Sequence, residues 1–174
     1  MKTSSFSIIR PDSPLLTKIK TYKKRAAHIK AYLDQNPHEW GRFQSEFNQE
    51  INAIFRDLMI FEKESLAKHQ EERVYKLKKI FIEQLREEFV RGEYLRWSLE
   101  KPYGYAGDYK IIDDIYRNDP ESEGFDRLYD NYFQMSAISV AVRNRKEDFK
   151  RIIVDYARFH SGKHDPCLRG SRWA

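Results

Sequence analysis

Apolar residues recur at intervals of three and four along most of the chain, the pattern of helices that bury one face. The first pattern begins after Ser13, a candidate N-cap with Pro14 at the first helical position, and extends to about Asp34. Asn36 and Pro37 repeat this start signal for a second helix. The apolar stripe of the second helix consists of Trp40, Phe43, Phe47, Ile51, Ile54, Phe55, Leu58 and Met59. We expect this stripe to be core rather than a cofactor-binding surface.

Four more helices are predicted by the same periodicity. A third stripe contains Val74, Leu77, Ile80, Phe81, Leu85 and Phe89 and ends near Gly92, and a shorter one contains Ile111, Ile112, Ile115 and Tyr116 and ends near Pro120. The fifth stripe contains Phe125, Leu128, Tyr129, Tyr132 and Phe133. The sixth lies in a helix that begins at about Ser136 and contains Val142, Phe149, Ile152, Ile153, Tyr156 and Phe159. No segment has the pattern of a convincing strand. The chain is therefore predicted to be all-α, an antiparallel, bundle-like assembly of helices.

A loop rich in glycine and tyrosine separates the helices on either side of it, and Asp108 is placed to cap the helix that follows. The loop reads Lys101-Pro102-Tyr103-Gly104-Tyr105-Ala106-Gly107-Asp108-Tyr109. Its glycines relax the limits on φ, its proline stiffens the entry, and its tyrosines offer hydroxyls on rigid rings. Such a loop can close over a ligand. It is equally the composition of an ordinary helix connection whose tyrosines cover a core.

The composition fits one domain of 174 residues with a net charge of +5. Much of the excess charge falls on the first predicted helix, at Lys18, Lys20, Lys23, Lys24, Arg25 and Lys30. These residues lack the interleaved aromatic side chains of a single-strand-binding surface, which favours a solvated face over a nucleic-acid partner. No apolar run approaches the roughly 20 residues of a membrane span, and no signal-peptide core begins the chain, so we expect a cytoplasmic protein.

Few catalytic signatures occur. The chain has no Gly-x-Ser-x-Gly elbow, phosphate-binding loop or Cys-x-x-Cys pair, and its single Cys167 cannot form an internal disulfide. A metal site is suggested by a cluster at the carboxyl end, which contains His160, His164, Asp165 and Cys167. Gly162 and Pro166 interrupt the helix that would align these side chains, so we expect a polar turn and no metal.

Arg143-Asn144-Arg145-Lys146 is the second unusual segment. Its guanidinium groups can hold a carboxylate or a phosphate, which makes Arg143 and Arg145 candidate substrate-binding residues. The alternative is a structural set of salt bridges with acids such as Asp130, Glu147 and Asp148.

Three motifs together resemble a known family. Gly104-Tyr105-Ala106-Gly107-Asp108-Tyr109, Ile115-Tyr116-Arg117-Asn118 and Ala141-Val142-Arg143-Asn144-Arg145 are similar, from about Lys101 to Asp165, to the region upstream of the catalytic domain in certain bacterial proteins. These are class I S-adenosylmethionine-dependent methyltransferases that include extracellular factor 3-hydroxypalmitic acid methyl ester synthases. The resemblance implies methyl transfer from S-adenosylmethionine to an oxygen, such as that of a fatty-acid carboxylate or another small acceptor. It also implies that Tyr103, Gly104, Tyr105, Gly107, Asp108, Arg143 and Arg145 lie near the cofactor or the acceptor.

In that family the helix with the Arg-Asn-Arg motif leads into a Rossmann-like domain, whose first strand and glycine turn receive the cofactor. Here the residues after Pro166 have neither feature. We therefore expect three parts: a flexible leader (1–12), a helical lid or substrate domain (13–165) and an aberrant or truncated tail (166–174). The chain alone is expected to bind S-adenosylmethionine poorly and to need a missing or separately encoded core.

Two further interpretations stay open. Codons for Cys167 to Ala174, read one nucleotide later, can encode Ala-Ser-Val-Ala-Ala-Gly-Gly, which resembles the missing strand and turn and suggests a frameshift. Alternatively, the chain is a stand-alone helical module that binds a protein partner through its basic first helix or its aromatic loop.

Overall fold

A computed structural model of the chain describes residues 14–100, 104 and 109–160. These residues form seven α-helices and one short 3-10 helix, and no strand, which confirms the predicted all-α class. The helices are α1 (Pro14–Leu33), α2 (Gly41–Ala67), α3 (Glu71–Phe89), α4 (Glu93–Glu100), α5 (Tyr109–Arg117), α6 (Gly124–Gln134) and α7 (Ala137–His160), and the 3-10 helix (Pro37–Trp40) precedes α2. The expected leader and tail lie outside the described residues.

The first three helices run up, down and up beside one another. In the contacts that join neighbouring helices, residue numbers rise along one helix as they fall along the other. Lys18–Asp57 and Arg25–Glu50 join α1 to α2 in this way. The ion pair Lys78–Glu62 and the ring pair Phe81–Phe55 do the same between α3 and α2. Short connections require such antiparallel neighbours, because a two- to eight-residue turn cannot carry the chain back along a long helix.

The core lies where α6 packs against α1 and α2. Phe47 is 1% exposed and meets the rings of Phe125 and Tyr129 edge to face, with centroids 6.2 and 4.8 Å away. The hydroxyls of Tyr22 and Tyr129 hydrogen-bond to each other at 2.5 Å, so neither phenol is buried without a partner. Burial raises the pKa of both phenols, and both stay neutral.

The predicted stripes of α2 and α3 are buried at their centres, and the stripe of α2 fails at one end. Buried side chains include Phe47, Ile51, Ile54, Val74, Leu77, Phe81 and Leu85. Met59, assigned to the core by its spacing, is 68% exposed, so that assignment is wrong. Asn36 occupies the predicted cap position, but its side-chain amide donates to the Tyr32 carbonyl and makes no cap bond. Helix α4 was not predicted as a separate element.

Helix α7 is covered at one end only. Its first turns pack on α5 and α6, with Ser139 1% exposed and its hydroxyl donating to the Phe133 carbonyl at 2.8 Å. From 144 to 159 every side chain is exposed. The predicted helix is confirmed here, but no described element packs on its apolar face.

Candidate functional site

The glycine and tyrosine loop connects α4 to α5, and Gly104 is the one candidate residue within it that the structure describes. Gly104 has φ +66°, a conformation that side chains with a Cβ disfavour, and a Cβ there would meet nothing within 4 Å. The backbone angle, not a close neighbour, therefore favours glycine. Tyr103, Tyr105, Gly107 and Asp108, including the predicted helix cap, lie outside the described residues.

The helix that leads into the loop is anchored at its start by a buried carboxylate. Asp130 of α6 is 1% exposed and accepts hydrogen bonds from the backbone N–H groups of Glu93 (2.9 Å) and Tyr94 (3.1 Å) and from the Ser122 hydroxyl (2.5 Å). The N–H groups of a first helical turn lack partners within the helix, so Asp130 caps α4 from a distant part of the chain. Burial raises the pKa of Asp130, although these three hydrogen bonds act to lower it.

Gly92 allows this cap to form. Its φ is +80°, and a Cβ at this position would lie 2.3 Å from one carboxylate oxygen of Asp130. Any other residue would thus be strained in its backbone and would displace the capping group. The direction of α4, and with it the origin of the loop, depends on this glycine.

On the far side of the loop, Lys110 of α5 ties the two flanking helices together. Its ammonium lies 5.0 Å from the centroid of the Trp97 ring and 2.9 and 3.7 Å from carboxylate oxygens of Asp114 and Glu93. Desolvation acts against the charge, but the hydrogen bond to Asp114 and the nearby Glu93 raise the pKa of Lys110 overall. Lys110 is therefore a fixed cation at the base of the loop.

Arg143 joins the carboxyl ends of two helices. Its Nη2 donates to the Gln134 carbonyl at 2.8 Å, and its Nη1 donates to the Gln134 side-chain oxygen at 3.2 Å and to the Ile115 carbonyl at 3.4 Å. The last carbonyls of a helix lack intrahelical partners and carry partial negative charge, so a guanidinium there is stabilising. Gln134 extends the contact by donating to the Asp114 carbonyl at 3.1 Å. The ligand-binding role of Arg143 stays a prediction, because its described contacts are to the chain itself.

Arg145 and Lys146 differ from Arg143. Arg145 is exposed, and Lys146 lies 4.6 Å from the centroid of the Tyr116 ring. The expected salt bridges between this segment and nearby acids do not form: Asp130 caps α4, while Glu147 and Asp148 pair with Lys150 (4.0 Å) and Arg151 (3.0 Å). That structural alternative is therefore wrong in its partners, although Arg143 does anchor the fold.

The cavity between α4, α5 and α6 is too small for S-adenosylmethionine. The cavity between α4, α5 and α6 has a volume of about 20 Å³, room for one water molecule, and is lined by Glu93, Tyr94, Lys110, Asp114, Asp119, Pro120, Glu121, Asp130 and Gln134. Cofactor sites are usually clefts of about 300–1,000 Å³. Among the described residues there is also no strand to lead into a Rossmann-type glycine turn.

Two other kinds of feature are absent from the described part of the chain. In residues 14–100, 104 and 109–160, no group of three His, Cys, Asp or Glu side chains could hold a metal ion. No described helix is both long and apolar enough to cross a membrane. His164, Asp165 and Cys167 lie outside these ranges, whereas the His160 ring stacks on Tyr156 with centroids 4.0 Å apart.

Much of the positive charge on α1 is balanced within the chain. Four of its basic side chains form ion pairs: Lys18 with Asp57, Lys23 with Glu88, Arg25 with Glu46 and Glu50, and Lys30 with Asp34. Exposed pairs of this kind each contribute about 0–1 kcal/mol. The pairs of Lys18, Lys23 and Arg25 join α1 to α2 and α3, whereas Lys30 pairs with Asp34 four positions along the chain. The described part of α1 therefore does not present a continuous row of unpaired cations.

Helix α7 carries an exposed apolar face along its second half. Phe149, Ile152, Ile153, Tyr156 and Phe159 are 63, 60, 52, 55 and 72% exposed and recur at spacings of three and four. They therefore form one stripe, called here the α7 stripe. Single exposed apolar residues are ordinary, but a contiguous stripe of this kind is typical of an interaction surface.

The anchoring residues were not found from the sequence. Asp130, Gln134 and Gly92 act through contacts with residues 8 to 38 positions away, beyond any local pattern. The one available signal was Asp130 itself, a charged residue next to Tyr129 in an otherwise apolar helical stripe. Such a residue is costly to bury unless it has hydrogen-bond partners.

Comparisons of this chain with models of protein families, with curated proteins and with solved structures gave no match.

Proposed function

We propose that this chain is the helical amino-terminal part of an S-adenosylmethionine-dependent O-methyltransferase and is inactive alone. In the intact enzyme it would cover the cofactor domain and shape the acceptor pocket, with a fatty-acid carboxylate as a candidate acceptor. This proposal rests on the resemblance of residues 101–165 to that family. Methyl transfer of this kind depends chiefly on positioning the two reactants, which is the task of a lid.

The α7 stripe is the structural observation that carries the proposal. It lies on the helix that, by the resemblance, leads directly into the catalytic core. An exposed apolar stripe gains stability when another element covers it, at about 25 cal/mol per Å² of buried apolar surface. A Rossmann-like core that follows α7 is well placed to be that element.

The direct test is complementation with a separately supplied catalytic core from a full-length family enzyme. We expect the mixture to form methyl ester from labelled S-adenosylmethionine and a 3-hydroxy fatty acid, whereas neither part alone does so. The double variant Ile152→Asp, Tyr156→Asp should abolish this activity. Arg151→Asp, a charge change at an exposed position off the stripe, is the matched control and should retain it. A lack of activity with any core would overturn the proposal.

The loop residues are tested in a full-length homologue. Changing the positions that correspond to Tyr105→Phe and Asp108→Asn should lower turnover while the helical content is unchanged. Unaltered kinetics would remove both residues from the site. The frameshift hypothesis has its own test, because translation of the downstream DNA in all frames either contains a methyltransferase core or does not.

The alternative function is a stand-alone helical module that binds a protein partner. The same α7 stripe supports it, since an interaction module also needs an exposed apolar face. The two proposals differ in the complementation experiment: a module gives no methyl transfer with any core. A module would instead capture, through the stripe, a partner unrelated to methyltransferases, and the Ile152→Asp, Tyr156→Asp variant would lose that capture.

A further inference from the structure

A cleft between α1 and α2 is large enough for a small molecule. Its volume is about 440 Å³, within the range of about 300–1,000 Å³ that is usual for ligand sites. The surface of the cleft is mostly apolar, and the residues that line it include Pro14, Thr17, Thr21, Tyr22, Ala53 and Ile54. The cavity beside the loop has room for one water molecule, so the α1–α2 cleft is the better candidate for a ligand site.

Two charged side chains also line the cleft, Lys18 and Glu50. Lys18 is neutralised by Asp57, whose carboxylate oxygen lies 2.5 Å from the lysine ammonium. Glu50 lies 3.2 Å from Arg25, but Arg25 also pairs with Glu46 and so divides its charge between two carboxylates. Counted with these direct partners, the charged groups at the cleft are three carboxylates and two cations. The cleft therefore has an excess of negative charge.

The negative charge in excess lies close to the apolar part of the cleft. The Glu50 side chain is 24% exposed, against 47% for Glu46 on the same guanidinium. Burial raises the pKa of Glu50, although Arg25 acts to lower it. Ala53 and Ile54 follow Glu50 by three and four positions, which places all three on one face of α2. A carboxylate in this setting is stabilised by a further cation, and the neighbouring surface suits an apolar body attached to that cation.

We propose that the α1–α2 cleft binds a small cationic amphiphile, a protonated amine with a hydrocarbon or aromatic body. The ammonium lies beside Glu50, and the body contacts Ala53 and Pro14. A carboxylate ligand is disfavoured, because Lys18 already has Asp57 as its partner. The cleft is formed by helices that precede residues 101–165, so this proposal does not depend on the methyltransferase assignment.

Three probes with the same hydrocarbon chain length test the charge of the ligand: octylamine, 1-octanol and octanoate. In an NMR titration of the full chain, octylamine should shift the signals of Ala53 and Ile54 saturably, with no comparable shift at Ile153 of the α7 stripe. We expect octanol to bind about two- to fivefold more weakly, the size of one exposed ion pair, and octanoate to bind more weakly still. The net charge of +5 by itself favours octanoate, so a preference for the amine identifies a local site.

Three outcomes of this titration would overturn the proposal. They are equal affinity for the three probes, a preference for octanoate, and the absence of a saturable octylamine shift confined to the cleft.

A charge substitution on α2 tests the role of Glu50. Glu50→Gln keeps the shape of the side chain and removes its charge, so octylamine should bind about two- to fivefold more weakly and no better than octanol. Glu62→Gln is the matched control and should leave the affinity unchanged. Its carboxylate is on the same helix and lies 2.6 Å from the Lys78 ammonium, outside the cleft lining. Unaltered octylamine affinity in Glu50→Gln would remove this carboxylate from the site.

A substitution that fills the cleft tests the location of the apolar body. Ala53→Phe should abolish the saturable binding of octylamine, because the new ring occupies the space of the ligand. Ala157→Phe, the same change at an exposed position of α7, should have no effect. Circular dichroism checks that both variants stay helical. Octylamine binding by a helical Ala53→Phe variant with unchanged affinity would show that the ligand lies elsewhere.

Discussion

The core around Phe47 and the α7 stripe have nearly the same sequence pattern, but the first is buried and the second is exposed to solvent. Phe47, Ile51 and Ile54 follow one another at spacings of four and three, and so do Phe149, Ile153 and Tyr156. The first three are at most 3% exposed and the last three at least 52%. Periodicity thus establishes which side chains share a face of a helix. It does not establish whether another element covers that face, because covering depends on contacts between distant parts of the chain.

The largest expected difference in stability is between alanine substitutions of Phe47 and of Phe149. Phe47→Ala should lower the free energy of unfolding by about 3–5 kcal/mol, because it leaves a cavity among Phe125, Tyr129 and Tyr132. Phe149→Ala should change it by no more than about 0.5 kcal/mol. Urea denaturation followed by circular dichroism measures both. A cost for Phe149→Ala comparable to that of Phe47→Ala would mean that the α7 stripe is covered in solution.

The next prediction concerns a buried polar contact, the cap that Asp130 forms on α4 beside Gly92. Gly92→Ala should destabilise the fold by about 2–4 kcal/mol, since it combines strain at positive φ with displacement of the Asp130 carboxylate from its cap. Gly41→Ala is the control: Gly41 has helical angles and open space around it, so alanine should stabilise by about 0.4–1 kcal/mol. Thermal unfolding distinguishes the two. Equal effects would show that the cap at α4 does not form.

Asp130→Asn tests the buried cap and its dependence on pH. It should cost about 1–3 kcal/mol, because an amide N–H₂ would face a backbone donor of α4. The pKa of Asp130 in the folded chain is raised above 3.8, the ordinary value that applies in the unfolded chain. The stability that the protonated carboxyl adds is therefore fully present below pH 3.8 and is lost as pH rises through the folded pKa.

The advantage of the unsubstituted chain over Asp130→Asn should therefore shrink as pH increases above 3.8. Denaturation at several pH values measures this trend. Asp126→Asn, on the same helix but with an exposed carboxylate 3.6 Å from Arg91, should change stability by less than about 1 kcal/mol. A trend of the opposite sign would mean that the hydrogen bonds to Asp130 outweigh its desolvation.

The smallest expected difference distinguishes two arginines of one motif. Arg143→Met should cost about 1–2 kcal/mol, since the carbonyls of Gln134 and Ile115 lose a charged donor. Arg145→Met should change the free energy of unfolding by no more than about 0.5 kcal/mol, because its side chain is exposed. Chemical denaturation again provides the measurement. Equal costs would place Arg145 in a contact that the structure does not contain.

The sequence by itself predicted every described α-helix except α4. Proline and an N-cap residue predicted the start of α1, the apolar periods predicted five more helices, and glycine and proline indicated most of their ends. These signals are local, and the backbone conformation of a helix responds chiefly to its own residues and to the side on which its apolar residues lie. The failures are equally local in origin: Met59 follows the period but lies at the edge of the buried face.

Only the tertiary structure decided which residues hold the loop region in place and which face stays exposed. Asp130 caps a helix whose first residues lie 36 and 37 positions earlier, and Arg143 joins the ends of two other helices. Such contacts depend on how the helices pack, since hydrogen-bond partners of buried polar groups are chosen by proximity in space rather than by spacing along the chain. For the same reason the α7 stripe, predicted from its period to be an ordinary amphipathic face, is seen to be exposed only once its neighbours are known.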